Sequence, residues 1–132
     1  MVATHGNPKL LQFALDEAKS RQAELFVLFV RHIAMTTMGS ANRPDVSLDP
    51  DAEAMFENAE KAAREAGVPI QLLYAVADDV ADAILDFAVT HGVDLLILGA
   101  TQRGTLWRTM KGDVLQQVAQ YLPEKTGLLI HA

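Results

Sequence analysis

Residues Val93 to Val114 read VDLLILGATQRGTLWRTMKGDV: an apolar run of strand length, a loop marked by glycines, and the approach to a helix. Strand, tight loop and helix in that order form the unit from which open α/β sheets build ligand crevices, at the carboxyl ends of the strands. Backbone amides face an anion in such a loop only where glycine or another small residue lets the chain come close, and the helix that follows adds the positive end of its dipole. Gly99, Gly104 and Gly112 meet the first condition. Asp113 opposes the second, because a carboxylate at the mouth of the helix takes or repels the place of a phosphate. The loop has the form of a nucleotide loop that has been altered.

On either side of this segment, apolar runs of strand length alternate with stretches whose apolar residues recur at helical spacing, the pattern of βαβ units on a parallel sheet. Five strands are expected. The first is the short Val2–Thr4, then a turn at Gly6, Asn7 and Pro8 and a helix from about Pro8 to Gln22, with Asn7 as cap and Pro8 as its first residue. Leu25–Val30 (LFVLFV) is apolar without interruption, which suits a central strand covered on both faces. Ile33–Asp49 has no clear period and holds Met35, Met38, Gly39 and Pro44; loops of that length usually carry function, and this one is the candidate lid. Pro50–Ala66 is a helix capped by Asp49 and stopped at Gly67. Ile70–Val76 is the third strand, Asp79–His91 the third helix with Gly92 as its stop, and Leu95–Leu98 the fourth strand. Asp113–Leu122 is the last helix, ended by Pro123, and Gly127–His131 the final strand.

With 132 residues the chain has the length of one domain, residues 1–132, and buries roughly two-thirds of its unfolded surface. The net charge of −6 makes the surface mildly acidic, so nucleic acid and anionic membrane are poor partners. The absence of cysteine removes disulfides, thiol catalysis and thiolate metal sites together and fits a reducing compartment. No apolar run reaches the length of a membrane span and no signal peptide precedes the first strand, so direct membrane insertion is not expected and the location read is cytoplasmic. A strand opening at Val2 is short for the middle of a parallel sheet, which suits either a piece cut from a longer polypeptide or a compact natural start.

VATHGN at Val2–Asn7, AELFVLFV at Ala23–Val30, GVDLLILGA at Gly92–Ala100 and the glycine segment 99–114 together resemble the universal stress proteins (UspA-like domains), over essentially the whole chain. The resemblance implies an open five-stranded parallel sheet with helices on both faces, Rossmann-like and similar to the adenine nucleotide alpha-hydrolases, in strand order 3-2-1-4-5. In the family's nucleotide binders the opening reads V-A-T-D-G-S, and the glycine motif runs G, two residues, G, nine residues, then G followed by Ser or Thr. Gly99 and Gly112 hold the outer places here; Gln102 replaces the second glycine, Asp113 the hydroxyl residue, His5 the aspartate after the first strand, and Ala77 a small glycine at the end of the third.

The candidate nucleotide crevice implied by the resemblance comprises Thr4, His5 and Val30 on the base side, with Gly99, Gln102, Arg103, Gly112, Asp113 and Val114 on the phosphate side. Gln102 puts a side chain where close backbone approach is wanted, and Asp113 exchanges a hydroxyl for a negative charge. Losing charge-assisted hydrogen bonds at about 1.5–3 kcal/mol each would cost several kcal/mol of phosphate affinity. ATP and AMP are therefore disfavoured and no cofactor is expected. Arg103, Arg108 and Lys111 return some positive potential as a group, although each singly is ordinary surface charge. Val30 lies where the family holds the base with backbone groups, so a base or another planar group can still be imagined there.

In the strand order that the resemblance implies, the ends carrying His5, His32 and Asp78, with Asp79 beside it, are neighbours, and imidazole with carboxylate is a candidate set for a divalent metal such as zinc. The plainer alternative is a polar rim, with His5 hydrogen-bonded to Asp79 or to a backbone carbonyl. No G-x-S-x-G, H-E-x-x-H or G-x-x-x-x-G-K-[ST] pattern is present, and Ser20, Ser40 and Ser47 have no histidine near them, so no catalytic residue is assigned. Trp107 either covers the altered loop or docks a protein partner. The last strand, Gly127, Leu128, Leu129, Ile130 and His131, is apolar and at an edge; the resemblance implies that it pairs across a two-fold to give a homodimer, which also removes an aggregation hazard. These features together lead to a homodimeric, non-enzymatic regulatory domain with a degenerate nucleotide motif. The alternatives are a cytoplasmic tail of a membrane transporter or sensor kinase, and a weak adenine-nucleotide binder or slow ATPase.

Overall fold

In a computed structural model the described residues are 1–33, 49–99, 108–109 and 112–131, the side chains of 108, 109, 112 and 113 excepted. Among these described residues the elements follow in the order β1 (Val2–Ala3), α1 (Pro8–Ser20), β2 (Leu25–His32), α2 (Pro50–Ala66), β3 (Ile70–Ala77), α3 (Val80–Thr90), β4 (Leu95–Gly99), β5 (Arg108–Thr109), β6 (Gly112–Asp113), α4 (Val114–Tyr121) and β7 (Gly127–His131). Five of the strands form one parallel sheet in the order β3-β2-β1-β4-β7.

Alternation along the strands divides the core into two layers. Val2, Leu25, Val27, Phe29 and Ile97 pack against Leu10, Leu11, Ala14 and Leu15 of α1 and Ala52, Met55, Phe56 and Ala59 of α2. Ala3, Leu28, Val30, Leu73, Leu96 and Leu98 pack against Val80, Ala81, Ile84 and Ala88 of α3 and Val114 and Val118 of α4. Because each face of the sheet is covered, LFVLFV needs no polar residue on either side. Each large apolar side chain buried in these layers contributes about 1.5–3 kcal/mol.

The helix starts follow their caps. Asn7 Oδ1 accepts from Lys9 N at 3.0 Å and Leu10 N at 3.4 Å, Asp49 Oδ1 from Ala52 N at 3.2 Å, and Asp79 Oδ1 from Asp82 N at 3.1 Å. At the far end of α2, Gly67 takes φ 71°, the left-handed conformation that lets the last turn close.

Several boundaries differ from the sequence reading. β1 stops at Ala3; the Thr4 amide still donates to the Leu28 carbonyl at 3.0 Å, and its hydroxyl accepts the Gly6 and Asn7 amides of the turn at 3.1 and 3.3 Å. α1 ends at Ser20 rather than Gln22, because Arg21 is its cap and Gln22 turns to φ 53°. β2 and β3 run on to His32 and Ala77, held by eight consecutive backbone pairs that polar side chains do not interrupt. β4 extends to Gly99 opposite His131, α3 lies between its caps Asp79 and His91, and α4 opens at Val114 because Gly112–Asp113 pair antiparallel with Arg108–Thr109. The middle strand is β1; LFVLFV lies beside it.

The proposed lid falls almost entirely outside the described residues, as do Gln102, Arg103, Gly104, Trp107 and Lys111. Among the described residues no helix is long and apolar enough to cross a membrane.

Candidate functional site

The order β3-β2-β1-β4-β7 means that the chain leaves β1 toward β2 and β3, then returns to lay β4 on the other side of β1. The two connections diverge there, and the carboxyl ends of β1 and β4 frame the crevice where doubly wound sheets take ligands. Thr4, His5 and Gly6 leave β1 on this rim, Val30 nears the end of β2, and Gly99 closes β4.

His5 is the centre of this rim. Its Nε2 lies 2.6 Å from the carbonyl oxygen of Val30, and because a carbonyl only accepts, that nitrogen carries the proton and donates. The imidazole stacks on the Phe29 ring at 4.1 Å between centroids and 5° between planes. Burial chiefly pushes the His5 pKa below its ordinary 6.5, with the Arg31 charge acting the same way, against the opposing hydrogen bond to Val30 and the carboxylates of Asp49 and Asp51. The neutral ring is thus the favoured form.

Phe29 continues the stack to Tyr74, 6.0 Å away at 28°, and the Arg31 guanidinium carbon lies 5.2 Å from the Phe29 centroid. Arg31 Nε and Nη2 donate to the two oxygens of Asp49 at 2.9 and 2.8 Å, and Nη2 also reaches Asp51 at 3.1 Å. Tyr74 adds its hydroxyl to Asp49 at 2.9 Å. These donors, Arg31 first, hold the Asp49 carboxyl down at about 2, and the guanidinium is held protonated more firmly than usual. Between this network and the crevice lies a cavity of about 300 Å³ lined by His5, Gly6, Phe29, Asp51, Ala54, Met55 and Asn58. A cavity of about 500 Å³ lies at the opposite end of the sheet, among α1 and the starts of β2 and β4.

Of the residues singled out in the sequence, Thr4, His5 and Val30 come together, and the Val30 carbonyl is already engaged by His5. At Gly99 a Cβ would stand 3.3 Å from Leu10 Cδ2, a tight contact on the α1 side of the sheet. Val114 puts its side chain in the core at 1% exposure, so only its backbone is available to a ligand. Gln102 and Arg103 fall outside the described residues, and Gly112 and Asp113 are described as backbone alone. His5, His32 and Asp78 do not form a metal set: among the described residues no group of three His, Asp or Glu side chains is arranged to hold an ion. The roles of Phe29, Arg31 and Tyr74 were not legible in advance, and Asp49 was read only as a cap. The one hint was an arginine directly after an apolar strand, with acids at the next helix start.

Among the described residues β7 is an edge of the sheet, bonded to β4 alone. Ile130 is half exposed on it, while Phe13 of α1 packs at 4.6 Å from the ring of His131.

The universal stress protein family profile matches residues 2–124. The chain is similar to the universal stress protein YxiE of Bacillus subtilis (strain 168), 32% identical over 123 residues, covering 85% of this chain and 82% of that protein. Among solved structures it is similar to a universal stress protein in complex with cAMP, with TM-score 0.73 and 23% identity over 99% of this chain and 94% of the other. It is also similar to a universal stress protein from Archaeoglobus fulgidus in complex with dAMP, with TM-score 0.65 and 19% identity over 98% and 93% of the two chains.

Proposed function

The chain belongs to the universal stress protein family, and from that premise we propose that it is a regulatory binding domain, homodimeric and non-enzymatic, whose nucleotide crevice no longer holds a triphosphate tightly. The observation that carries this is the 2.6 Å hydrogen bond from His5 to the Val30 carbonyl, which removes from the crevice a main-chain acceptor at the end of β2. On the phosphate side the same direction is set by sequence: Gln102 for a glycine and Asp113 for a hydroxyl both work against an anion. Dimer formation is supported by the position of β7 as an edge strand with Ile130 half exposed, because an unpaired apolar edge is a template for association. We place the domain in the cytoplasm, working through protein contacts or a small ligand other than ATP.

A second reading, a weak binder of adenine mononucleotides, draws on the two neighbours solved with cAMP and dAMP. Calorimetric titration with ATP, ADP and AMP, with and without magnesium, beside a light-scattering mass, separates the two. The proposal expects a dimer mass and no micromolar ATP binding. Micromolar ATP affinity overturns it, and AMP binding without ATP binding moves the second reading to the front.

A further inference from the structure

We propose that the outer edge of β3 takes up an extended, basic segment of a partner protein as a further strand of the sheet. The inference goes beyond the proposed function, since neither the crevice nor β7 takes part in it. The Leu25 amide donates to the Pro69 carbonyl at 2.9 Å and the Ile33 amide to the Ala77 carbonyl at 3.0 Å, so the odd-numbered residues of this stretch turn their main-chain groups toward β2. Alternate residues of a strand turn theirs the other way, which directs the amides and carbonyls of Ile70, Leu72 and Val76 out of the sheet. Among the described residues β3 pairs with β2 alone, and nothing bonds these outward groups. Edges are ordinarily blunted by charge, proline or a bulge, whereas IQLLYAVA carries no charge and no proline and pairs with β2 without a break.

Charge selects the occupant. Helices α2 and α3 pack against β3 from the two faces of the sheet. On α2 five acidic residues stand against Lys61 and Arg64, and on α3 Asp82 and Asp86 stand against no base, so these two helices hold most of the net charge of −6. The opposite edge differs: β7 packs with α1, where Lys9 and Lys19 balance Asp16 and Glu17, and with α4, which has no charged residue. Two copies meeting through β3 would set acidic helix against acidic helix, a repulsion that pairing through β7 does not meet. A segment rich in lysine or arginine turns the same charge to attraction. Its main chain continues the ladder, and its side chains, alternating above and below the sheet, fall on the sides of α2 and α3.

The experiment follows amide hydrogen exchange of the protein, residue by residue, with a blocked peptide of alternating lysine and valine and with its glutamate–valine counterpart. Nucleotide affinity does not enter, so this inference and the proposed function fail separately. The lysine peptide is expected to slow exchange at Ile70, Leu72 and Val76 by about tenfold or more, and the glutamate peptide to leave it unchanged. Leu72→Pro removes an outward donor while sparing the ladder to β2, and with circular dichroism confirming its fold it is expected to lose the protection at Ile70 and Val76. Glu57→Lys with Asp86→Lys, both at exposed positions, leaves the strand intact and is expected to weaken the lysine peptide roughly tenfold. No protection by the lysine peptide, equal protection by both peptides, or undiminished binding in the double variant would each overturn the inference. Protection in the protein alone that grows with its concentration would overturn it too, by making a second copy the occupant.

Discussion

The guanidinium of Arg31 grips both carboxylate oxygens of Asp49, at 2.9 and 2.8 Å, across eighteen residues of chain. Asp49 is 6% exposed and also caps α2 and accepts from Tyr74, so one carboxylate ties the ends of β2 and β3 to the start of a helix. Asp49→Ala leaves Arg31 without its main partner and α2 without its cap. Removing one member of a buried pair costs about 3–5 kcal/mol. Because Arg31 remains a third exposed, about 2–4 kcal/mol is the expected loss, read as a shift in the midpoint of urea unfolding at constant slope. Asp49→Asn keeps a good cap and is expected to lose less; equal losses would show that the charge pair with Arg31, and not the cap, carries the effect.

The same carboxylate sets an acid limit. Its pKa is about 2 in the folded chain against 3.8 in the unfolded one, so the unfolded state binds the proton first as pH falls. The stabilisation is complete above pH 4 and disappears between about pH 4 and pH 2. Unfolding free energies measured across that window are expected to fall less steeply in Asp49→Asn than in wild type; parallel curves would remove the assignment.

LFVLFV disclosed its two covered faces because every residue in it is apolar, and the structure divides it residue by residue between the α1/α2 and α3/α4 layers. The caps Asn7, Asp49 and Asp79 were legible for the same local reason, since a cap acts within three residues. The extension of β2 through Arg31 and His32 was not, because backbone pairing with Val76 and Ala77 holds them and leaves no mark in side-chain pattern. The two-residue ladder β5–β6 is too short to carry a period at all. In the site, His5 stood out by its place after β1, yet its partner lies 25 residues away, and such a contact exists only once the sheet is assembled.

His5 supplies a second pH dependence, nearer neutrality. Its folded pKa is depressed below 6.5, chiefly by burial, so the stability it gives is present above that value and diminishes as pH falls below it. Unfolding followed from pH 7.5 to pH 5 is expected to show this decline in wild type and to lose it in His5→Phe. A decline of equal slope in both proteins would place its origin elsewhere.

Restoring the phosphate side tests the loss that the sequence implies. Gln102→Gly with Asp113→Ser returns close backbone approach and a hydroxyl donor to the loop. With about 1.5–3 kcal/mol for each of the two recovered interactions, ATP affinity is expected to rise by roughly two to four orders of magnitude over wild type. Calorimetry on the double variant reads it directly, and an unchanged affinity would mean that these two positions are not what weakens the site.

In the proposed function β7 is the strand through which two copies would pair. β7 hydrogen-bonds β4 on one side only within the sheet, and Ile130 is the side chain on it that remains half exposed. A partner strand from a second copy would cover that isoleucine, and a charge placed there would have to be buried without a counter-charge, at a cost that a dimer interface of ordinary size does not recover. Ile130→Asp is therefore expected to halve the light-scattering mass at tens of micromolar while leaving the far-ultraviolet spectrum unchanged, because the position is exposed in the single chain. A dimer that survives this change would use another surface, and a wild-type mass of one chain would remove the dimer from the proposed function altogether.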